Sequence, residues 1–264
     1  MFIQDVIATY TFDKAFQIDA GMLLLGQSYN HLQSAATLMT VDYGPYTFVE
    51  STPFGLRAGR DFGAEARGYL AGDHVEYRAG VFQGQRGVNA TNSFRYTGRL
   101  AFYVFSPETT YFYRGTSLGK TQTLSIGGSF DQQNGNAGQK GYSTYGADLF
   151  WDQPVAGGDG LTVQLDYNQW DGGTFLPSLP KQKVTLFEAG YYLHAIKLQP
   201  FFQYSRENFD VVTATRQDEK RTQGGLAWFF NGHNANLKLA YTKIDRDRAK
   251  TRNQIWLQYQ VYAF

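Results

Sequence analysis

The 264-residue chain carries 24 Lys and Arg residues against 23 Asp and Glu residues, which leaves a formal net charge of only +1. This balance gives no electrostatic reason to expect a nucleic-acid partner. The chain has no cysteine, and its apolar runs, such as Met22 to Leu25, are far shorter than the roughly 20 residues of a spanning helix. Disulfides and a helical membrane protein are therefore excluded.

Alternation of apolar and polar residues is the dominant pattern of the chain. In GLTVQLDYNQW the odd positions from Leu161 to Tyr167 are apolar and the even positions from Thr162 to Asn168 are polar, which predicts a strand with two different faces. Thirteen such segments are predicted in chain order: 2–12, 15–26, 55–71, 74–84, 93–106, 121–131, 141–153, 160–170, 182–194, 196–208, 219–231, 234–245 and 251–264.

The connections between these segments alternate between short ones, such as DKA and AGDH, and long ones, such as DQQNGNAGQKG. Long strands with short turns at one end and long loops at the other are typical of outer-membrane barrels. The sequence therefore predicts an all-β fold, an antiparallel transmembrane β-barrel that forms a single domain over residues 1–264. The connection 107–120 is long although it falls on the short side, and it predicts either an extension at that end or a bent strand.

The longest connection, residues 27–54, lies between the second and third segments, on the side of the long loops, which is the extracellular side in outer-membrane barrels. Its apolar side chains indicate that it packs against another part of the protein; they include Leu38, Met39, Val41, Phe48 and Val49. We expect this loop to fold into the lumen as a constriction. A long solvated loop is the alternative.

Several motifs, taken together and in order, resemble the phosphate-selective porin O and P family of Gram-negative outer membranes. They are IQDVIATYTFDKAFQIDAG, GLRAGRDFGAEARGYLAGDHVEYRAGVFQG, LSIGGSFDQQ, GLAWFFNGHNANLKLAYT and the terminal NQIWLQYQVYAF. The resemblance implies a sixteen-stranded, usually trimeric barrel that passes anions such as phosphate. Where many members carry a lysine-bearing GQFK after the second strand found here, this chain has GMLLLGQS, so one source of positive charge in the lumen is absent.

The resemblance also bears on the length of the chain. In sixteen-stranded porins the constriction loop follows the fifth strand, so matching it to residues 27–54 makes the first segment here the fourth strand. About thirteen strands are present in this sequence, and we therefore expect three further strands upstream of them. The start, MFIQDVIATYTF, lacks the basic and apolar regions of a signal peptide, as expected if a signal was removed or if the sequence begins inside a longer one.

Charged residues concentrate in the third to fifth segments, on the polar parity. In residues 55–71 the odd positions hold charges, while Arg60 falls on the parity expected to face lipid. The predicted anion-guiding wall of the lumen is Arg57, Arg67, Arg78, Arg95 and Arg99, with Asp61, Glu65 and Glu76 as acidic partners. If the short turn at AGD closes a simple hairpin, Arg67 lies almost opposite Arg78, and the loop 84–93 would bring Arg99 level with Arg78. Rings of Arg serve anion pores, and the alternative is a solvated, ion-paired wall.

The sequence thus predicts an outer-membrane porin of a Gram-negative bacterium that passes small anions, of the phosphate or polyphosphate class, and other small polar solutes. The alternative is a structural or partner-holding barrel with a plugged lumen. The four histidines lack metal-ligand spacing and no Ser-His set is predicted on the outer face, so neither a metal or cofactor nor an enzyme is expected. Expected partners are membrane lipid, small anions, two further copies in a homotrimer and, through the C-terminal Phe264, the outer-membrane insertion machinery.

Overall fold

The computed structural model describes residues 5–47, 59–85 and 92–262. Within these ranges the chain is all-β, apart from one α-turn at Tyr29–Leu32 and 3₁₀ turns at Ala35–Thr37 and Ala156–Gly158. None of the described helices is long and apolar enough to cross a membrane. The strands are β1 Val6–Asp13, β2 Phe16–Leu24, β3 Arg60–Leu70, β4 Val75–Phe82, β5 Arg95–Tyr103, β6 Thr123–Gln133, β7 Tyr142–Pro154, β8 Gly160–Asp171, β9 Gln182–Tyr192, β10 Leu198–Phe209, β11 Glu219–His233, β12 Ala235–Arg246 and β13 Ala249–Val261.

The thirteen strands form one antiparallel sheet in which each strand pairs with its neighbours in sequence. Both the number of strands and their approximate positions agree with the alternating segments, so the all-β, antiparallel prediction is confirmed. Among the described residues, β1 and β13 are not paired with each other, and they form the two edges of the sheet.

The two faces of the sheet have opposite chemistry, and the polar face is the buried one. In β8, Gln164 is 1% exposed and Asp166 3%, whereas Leu165 between them is 46% exposed. In β4, Arg78 is 2% exposed and Val81 is 45% exposed. The predicted orientation of these side chains, polar inward and apolar outward, is confirmed.

Large apolar side chains cover the outer face. This exposed belt includes Tyr96, Leu100, Phe102, Ile126, Phe130, Tyr145, Leu165, Tyr167, Phe202, Leu226, Trp228, Leu239, Tyr241, Ile255 and Leu257. A continuous apolar surface of this extent is rare on soluble proteins and marks contact with another apolar phase or partner.

Two long connections cover much of the other face, which we call the inner face. The long inner segment, residues 25–47, follows β2, and the short inner segment, residues 108–118, lies between β5 and β6. Small apolar clusters form where these segments meet aromatic residues of the sheet. One cluster comprises Leu24, Tyr29, Leu32, Tyr113 and Phe150. A further cluster joins Phe175, Leu176 and Leu179 of the connection between β8 and β9 to inner-face residues such as Trp170. The packed interior therefore lies between the inner face and these connections.

Candidate functional site: the arginine row and the inner segments

Three arginines on neighbouring strands lie side by side on the inner face. Arg67 of β3 pairs directly with Arg78 of β4, and Arg78 pairs in turn with Arg99 of β5. The predicted register of these three residues is confirmed. Because directly opposed like charges destabilise a sheet, the row requires compensating partners.

Every described arginine of the predicted wall is paired with at least one carboxylate. The pairs are Arg67 with Asp19 at 2.5 Å, Arg78 with Glu76 at 2.7 Å and Glu65 at 3.5 Å, Arg95 with Asp61 at 3.3 Å and with Asp131, and Arg99 with Asp148 at 2.6 Å. The acidic residues predicted for this wall, Asp61, Glu65 and Glu76, all take part. Arg57 lies outside the described residues.

Three of these carboxylates were not predicted as partners of the row. Asp19, Asp131 and Asp148 belong to β2, β6 and β7, outside the three arginine-bearing strands. Each lies on the polar parity of its own strand, so its inward orientation could have been read from the sequence. The arginine with which each carboxylate pairs could not be read from the sequence. Arg95 contacts Asp131 and Arg99 contacts Asp148 across strands whose register is fixed only in the folded sheet.

The guanidinium groups are withdrawn from solvent. The side chains of Arg78, Arg95 and Arg99 are each 1% exposed and that of Arg67 is 7% exposed. A buried ion is tolerated only with good partners, since its desolvation costs several kcal/mol. The row is thus charge-compensated and covered, which is the geometry of an ion-paired wall. Guidance of anions by these arginines stays a prediction.

Tyrosines of the short inner segment cover the row. The guanidinium carbon of Arg78 lies 5.0 Å from the ring centre of Tyr111 and 5.3 Å from that of Tyr113, within cation–π range. The Tyr113 hydroxyl donates to the Glu76 carboxylate at 2.7 Å. Burial, and after it the charge of Glu76, raises the pKa of Tyr113, so this hydroxyl remains a donor over the physiological range.

The long inner segment extends from the end of β2 across the inner face to the strands at the other edge of the sheet. From this segment, the Gln27 side chain donates to Asp131 of β6, the Asn30 backbone amide to Asp166 of β8 at 3.2 Å, and the Thr40 hydroxyl to Glu188 of β9 at 3.3 Å. In the other direction, Lys238 of β12 donates to the carbonyls of Leu38 and Thr40 at 2.7 and 2.8 Å, and the Gln260 side chain of β13 donates to the Ala36 carbonyl at 2.8 Å. Because one segment contacts strands from β6 to β13, the sheet curves around it.

The apolar residues of this segment are buried, as the sequence predicted. Leu38, Met39 and Val41 are at most 6% exposed, and Met39 and Val41 join an apolar cluster with residues of β9 to β12. Phe48 and Val49, with the rest of 48–54, lie outside the described residues. That residues 27–54 form a constriction stays a prediction.

The two inner segments bond to each other through their backbones. The Tyr113 amide donates to the Leu32 carbonyl at 2.8 Å, the Ser34 amide to the Tyr113 carbonyl at 2.8 Å, and the Thr116 amide to the Thr37 carbonyl at 3.0 Å. The connection 107–120, which the sequence left as an extension or a bent strand, instead turns onto the inner face. The two segments, which reach the inner face from opposite ends of the sheet, therefore form one interior unit.

Glycines on the inner face provide the space that this packing needs. A Cβ atom at Gly127 would lie 2.5 Å from Nη2 of Arg99, and one at Gly190 would lie 2.2 Å from Sδ of Met39. A larger side chain at either position would displace the guanidinium group or the inner segment. These two glycines therefore fix where the row and the segment can lie.

A cavity of about 340 Å³ remains between the long inner segment and strands β12 and β13. Its polar lining includes Asp42, Tyr43, Lys238, Gln258 and Gln260. Burial raises the pKa of Asp42. In β13, residues of both parities are exposed over most of the strand, so the inner face is less covered at this edge than in β4 to β8.

Arg60 differs from the sequence expectation. It falls on the parity expected to face lipid, yet it is only 8% exposed, and its Nε and Nη2 donate to the carboxylate of Asp5 at 2.6 and 3.0 Å. The reason lies in the adjacent strand end, because residues 22–25 are all buried and strict alternation stops there. Arg60 is therefore a buried member of an ion pair with Asp5 rather than a residue of the outer surface.

The histidines hold structural positions. His74 Nδ1 lies 2.6 Å from the Tyr103 carbonyl oxygen and His233 Nε2 lies 2.8 Å from that of Thr116. Burial, reinforced by the charges of nearby arginines, lowers the pKa of His31 to about 3. Within the described ranges no three His, Asp or Glu side chains are grouped to hold a metal ion.

No protein-family model matches this chain, and no curated protein matches it either.

Proposed function

We propose that this protein is an outer-membrane β-barrel porin, related to the phosphate-selective porin O and P family that its motifs resemble, and that it passes small polar solutes by diffusion. The observation that carries the proposal is the inverted sheet: Gln164 and Asp166 are buried while Leu165 is exposed. Such a sheet is stable where its outer face meets hydrocarbon and its inner face meets water or polar protein groups.

Strand length supports the same proposal. Strands β8, β10 and β12 each have 12 residues, which corresponds to roughly 40 Å along the strand. At a tilt of about 45° this spans roughly 28 Å along the membrane normal, close to the thickness of the hydrocarbon core. Soluble sheets have no need of strands this long, since the usual length is about five or six residues.

The charge arrangement bears on selectivity. An anion filter needs cations open to the passing solute, whereas Arg78, Arg95 and Arg99 are paired with carboxylates and covered. We therefore assign the row mainly to holding the inner segments in place. The proposed pore has only a weak preference for anions, and we propose that its path includes the cavity beside β12 and β13.

The plugged barrel is the second candidate, and a specific observation favours it. The two inner segments are joined by backbone hydrogen bonds and pack on inner-face residues, with the Tyr29 ring stacked 4.1 Å from the ring of Phe150. If they stay in place, the remaining passage is confined to the edge at β13, and the barrel would serve to hold a structure or a partner.

Conductance across a planar lipid bilayer separates the two candidates. We expect the purified protein to give discrete, small conductance steps, and Tyr29→Ala, which removes the stack on Phe150, to enlarge them. Tyr145→Ala is the matched control because it removes the same ring from the exposed face of β7. Insertion without conductance in the native protein, with steps only in Tyr29→Ala, would establish the plugged barrel instead; absence of insertion would refute both.

The expected location is the outer membrane of a Gram-negative bacterium, and the resemblance implies a homotrimer. Cross-linking in intact membranes tests the trimer. Recognition by the insertion machinery through Phe264 also remains a proposal, since this residue lies outside the described part of the chain.

A further inference from the structure

A row of basic side chains lies on the outer face, at the end of the sheet that carries the long connections. It consists of Lys183 of β9, Arg206 of β10 and Lys220 of β11, all of them exposed. Arg206 is paired directly with Lys220, and Lys183 is paired with Asn208, two residues along β10 from Arg206. We call these three residues the outer basic row. Opposed like charges are unfavourable in a sheet, so the row calls for an external partner.

The carboxylates near this row are engaged by other groups, since Asp210 is paired with Lys181 and Asp218 accepts from the Asn208 side chain and the Phe209 amide. In the described part of the chain, none of the three side chains forms an ion pair. Asp245 is paired with Lys220 across the strands, but its carboxylate is engaged by Lys243 at 3.1 Å and by the Thr251 hydroxyl at 2.7 Å. The arginines of the inner face show the opposite arrangement, since each has its own carboxylate.

The outer basic row lies at the boundary of the apolar belt. On β11 the outer face carries Leu226, Trp228 and Phe230 after Lys220, and Phe230 lies ten positions along the strand from Lys220. Ten residues correspond to roughly 33 Å and, at a tilt of about 40°, to roughly 25 Å along the membrane normal, which is the height of the apolar band of such barrels. With the aromatic residues at one membrane interface, the basic row falls at the other.

This positive charge is confined to one side of the sheet. At the same end of the strands, the outward residues of β5 to β8 include the uncharged Tyr96, Gln132, Ser143 and Gln169, and Asp171 of β8 is paired with Lys140. The exposed basic residues of the outer face at this end lie on β9 to β12, where Lys243 of β12 is paired with Asp245. A general attraction to the membrane surface would not require this concentration on neighbouring strands.

We propose that the outer basic row binds the phosphate groups of an anionic, multiply phosphorylated lipid in the leaflet at the long-connection end. The inference rests on the proposed membrane location. Neighbouring strands are about 4.8 Å apart, so one headgroup can contact all three cations. Arg206 supplies a planar fork for bidentate contact with phosphate, and the two lysines supply point charges. Phe187 and Phe202, further along β9 and β10 on the same face, contact the acyl chains.

Native mass spectrometry of the full-length protein in neutral detergent, titrated with diphosphorylated lipid A, tests the proposal. The test variant is the triple substitution Lys183→Gln, Arg206→Gln and Lys220→Gln. The control removes three positive charges at the opposite end, with Lys14→Gln, Lys120→Gln and Lys197→Gln. We expect the test variant to lose affinity by at least about tenfold, since each charged contact is worth that much, and the control to stay within about twofold.

Two further arms identify the source of the phosphate. Phosphatidylcholine should not compete, and inorganic phosphate at millimolar concentration should not displace the lipid. Equal binding by the test variant and the native protein would overturn the proposal, as would equal binding of phosphatidylcholine. Displacement by inorganic phosphate would assign the row to the free ion instead. Insertion into bilayers is measured separately. A protein that does not insert contradicts the porin proposal, whereas a protein that inserts but does not bind the lipid overturns only this inference.

Discussion

The ion pair between Arg99 and Asp148 gives the sharpest test of how the inner face is held together. Nη1 and Nη2 of Arg99 donate to the two carboxylate oxygens of Asp148 at 2.6 and 2.8 Å, and both side chains are at most 1% exposed. Asp148 is paired across the sheet with Asp166. Arg99→Met would therefore leave two carboxylates facing each other in a buried setting.

The expected cost follows from this geometry. Removing one partner of a buried pair leaves an uncompensated charge and costs about 3–5 kcal/mol, whereas replacing both partners by apolar residues of similar size is often neutral or stabilising. We therefore expect Arg99→Met to lower the free energy of unfolding by about 3–5 kcal/mol. The double variant Arg99→Met, Asp148→Leu should recover most of that loss.

Equilibrium urea unfolding in detergent micelles, followed by tryptophan fluorescence, measures both variants. Arg248→Met is the matched control, since Arg248 is exposed in the turn between β12 and β13, and its effect should stay within about 0.5 kcal/mol. A loss below about 1 kcal/mol for Arg99→Met would refute the assignment of this arginine as a buried structural ion.

Three further predictions concern the same interior. The pKa of His31 falls from 6.5 to about 3 on folding, so the unfolded chain binds more protons than the folded one below pH 6.5. The free energy of unfolding, measured in urea, should therefore decline as the pH is lowered from about 6.5 to 3, and His31→Asn should flatten that decline. Tyr113→Phe removes the donor to Glu76 and should cost about 1–2 kcal/mol in the same unfolding assay. The double variant Arg67→Gln, Asp19→Asn removes equal and opposite charge, so the reversal potential in asymmetric salt should not change; a shift toward cations would show that Arg67 acts on permeating anions.

The alternating strands were predictable because their signal is local. The orientation of a residue such as Gln164 or Leu165 depends only on its position in a two-residue period, so the sequence assigns thirteen strands and their faces without knowledge of the fold. The level arrangement of Arg67, Arg78 and Arg99 was predictable for a related reason, since the short turn between β3 and β4 was expected to close a simple hairpin and the loop 84–93 to bring Arg99 level with Arg78.

Contacts between distant parts of the chain were not predictable in this way. The pairing of Arg99 with Asp148 depends on the register of β5, β6 and β7 together. The burial of Arg60 depends on where β2 leaves the sheet, which its own alternation does not reveal.

The sequence by itself determined that this protein forms a long-stranded antiparallel sheet with one apolar and one polar face, because that information is repeated in every strand. Only the tertiary structure decided what covers the polar face. Residues 25–47 and 108–118 approach it from opposite ends and bond to each other through backbone N–H and C=O groups. Every residue type except proline carries both groups, so these bonds leave no mark in the amino-acid pattern.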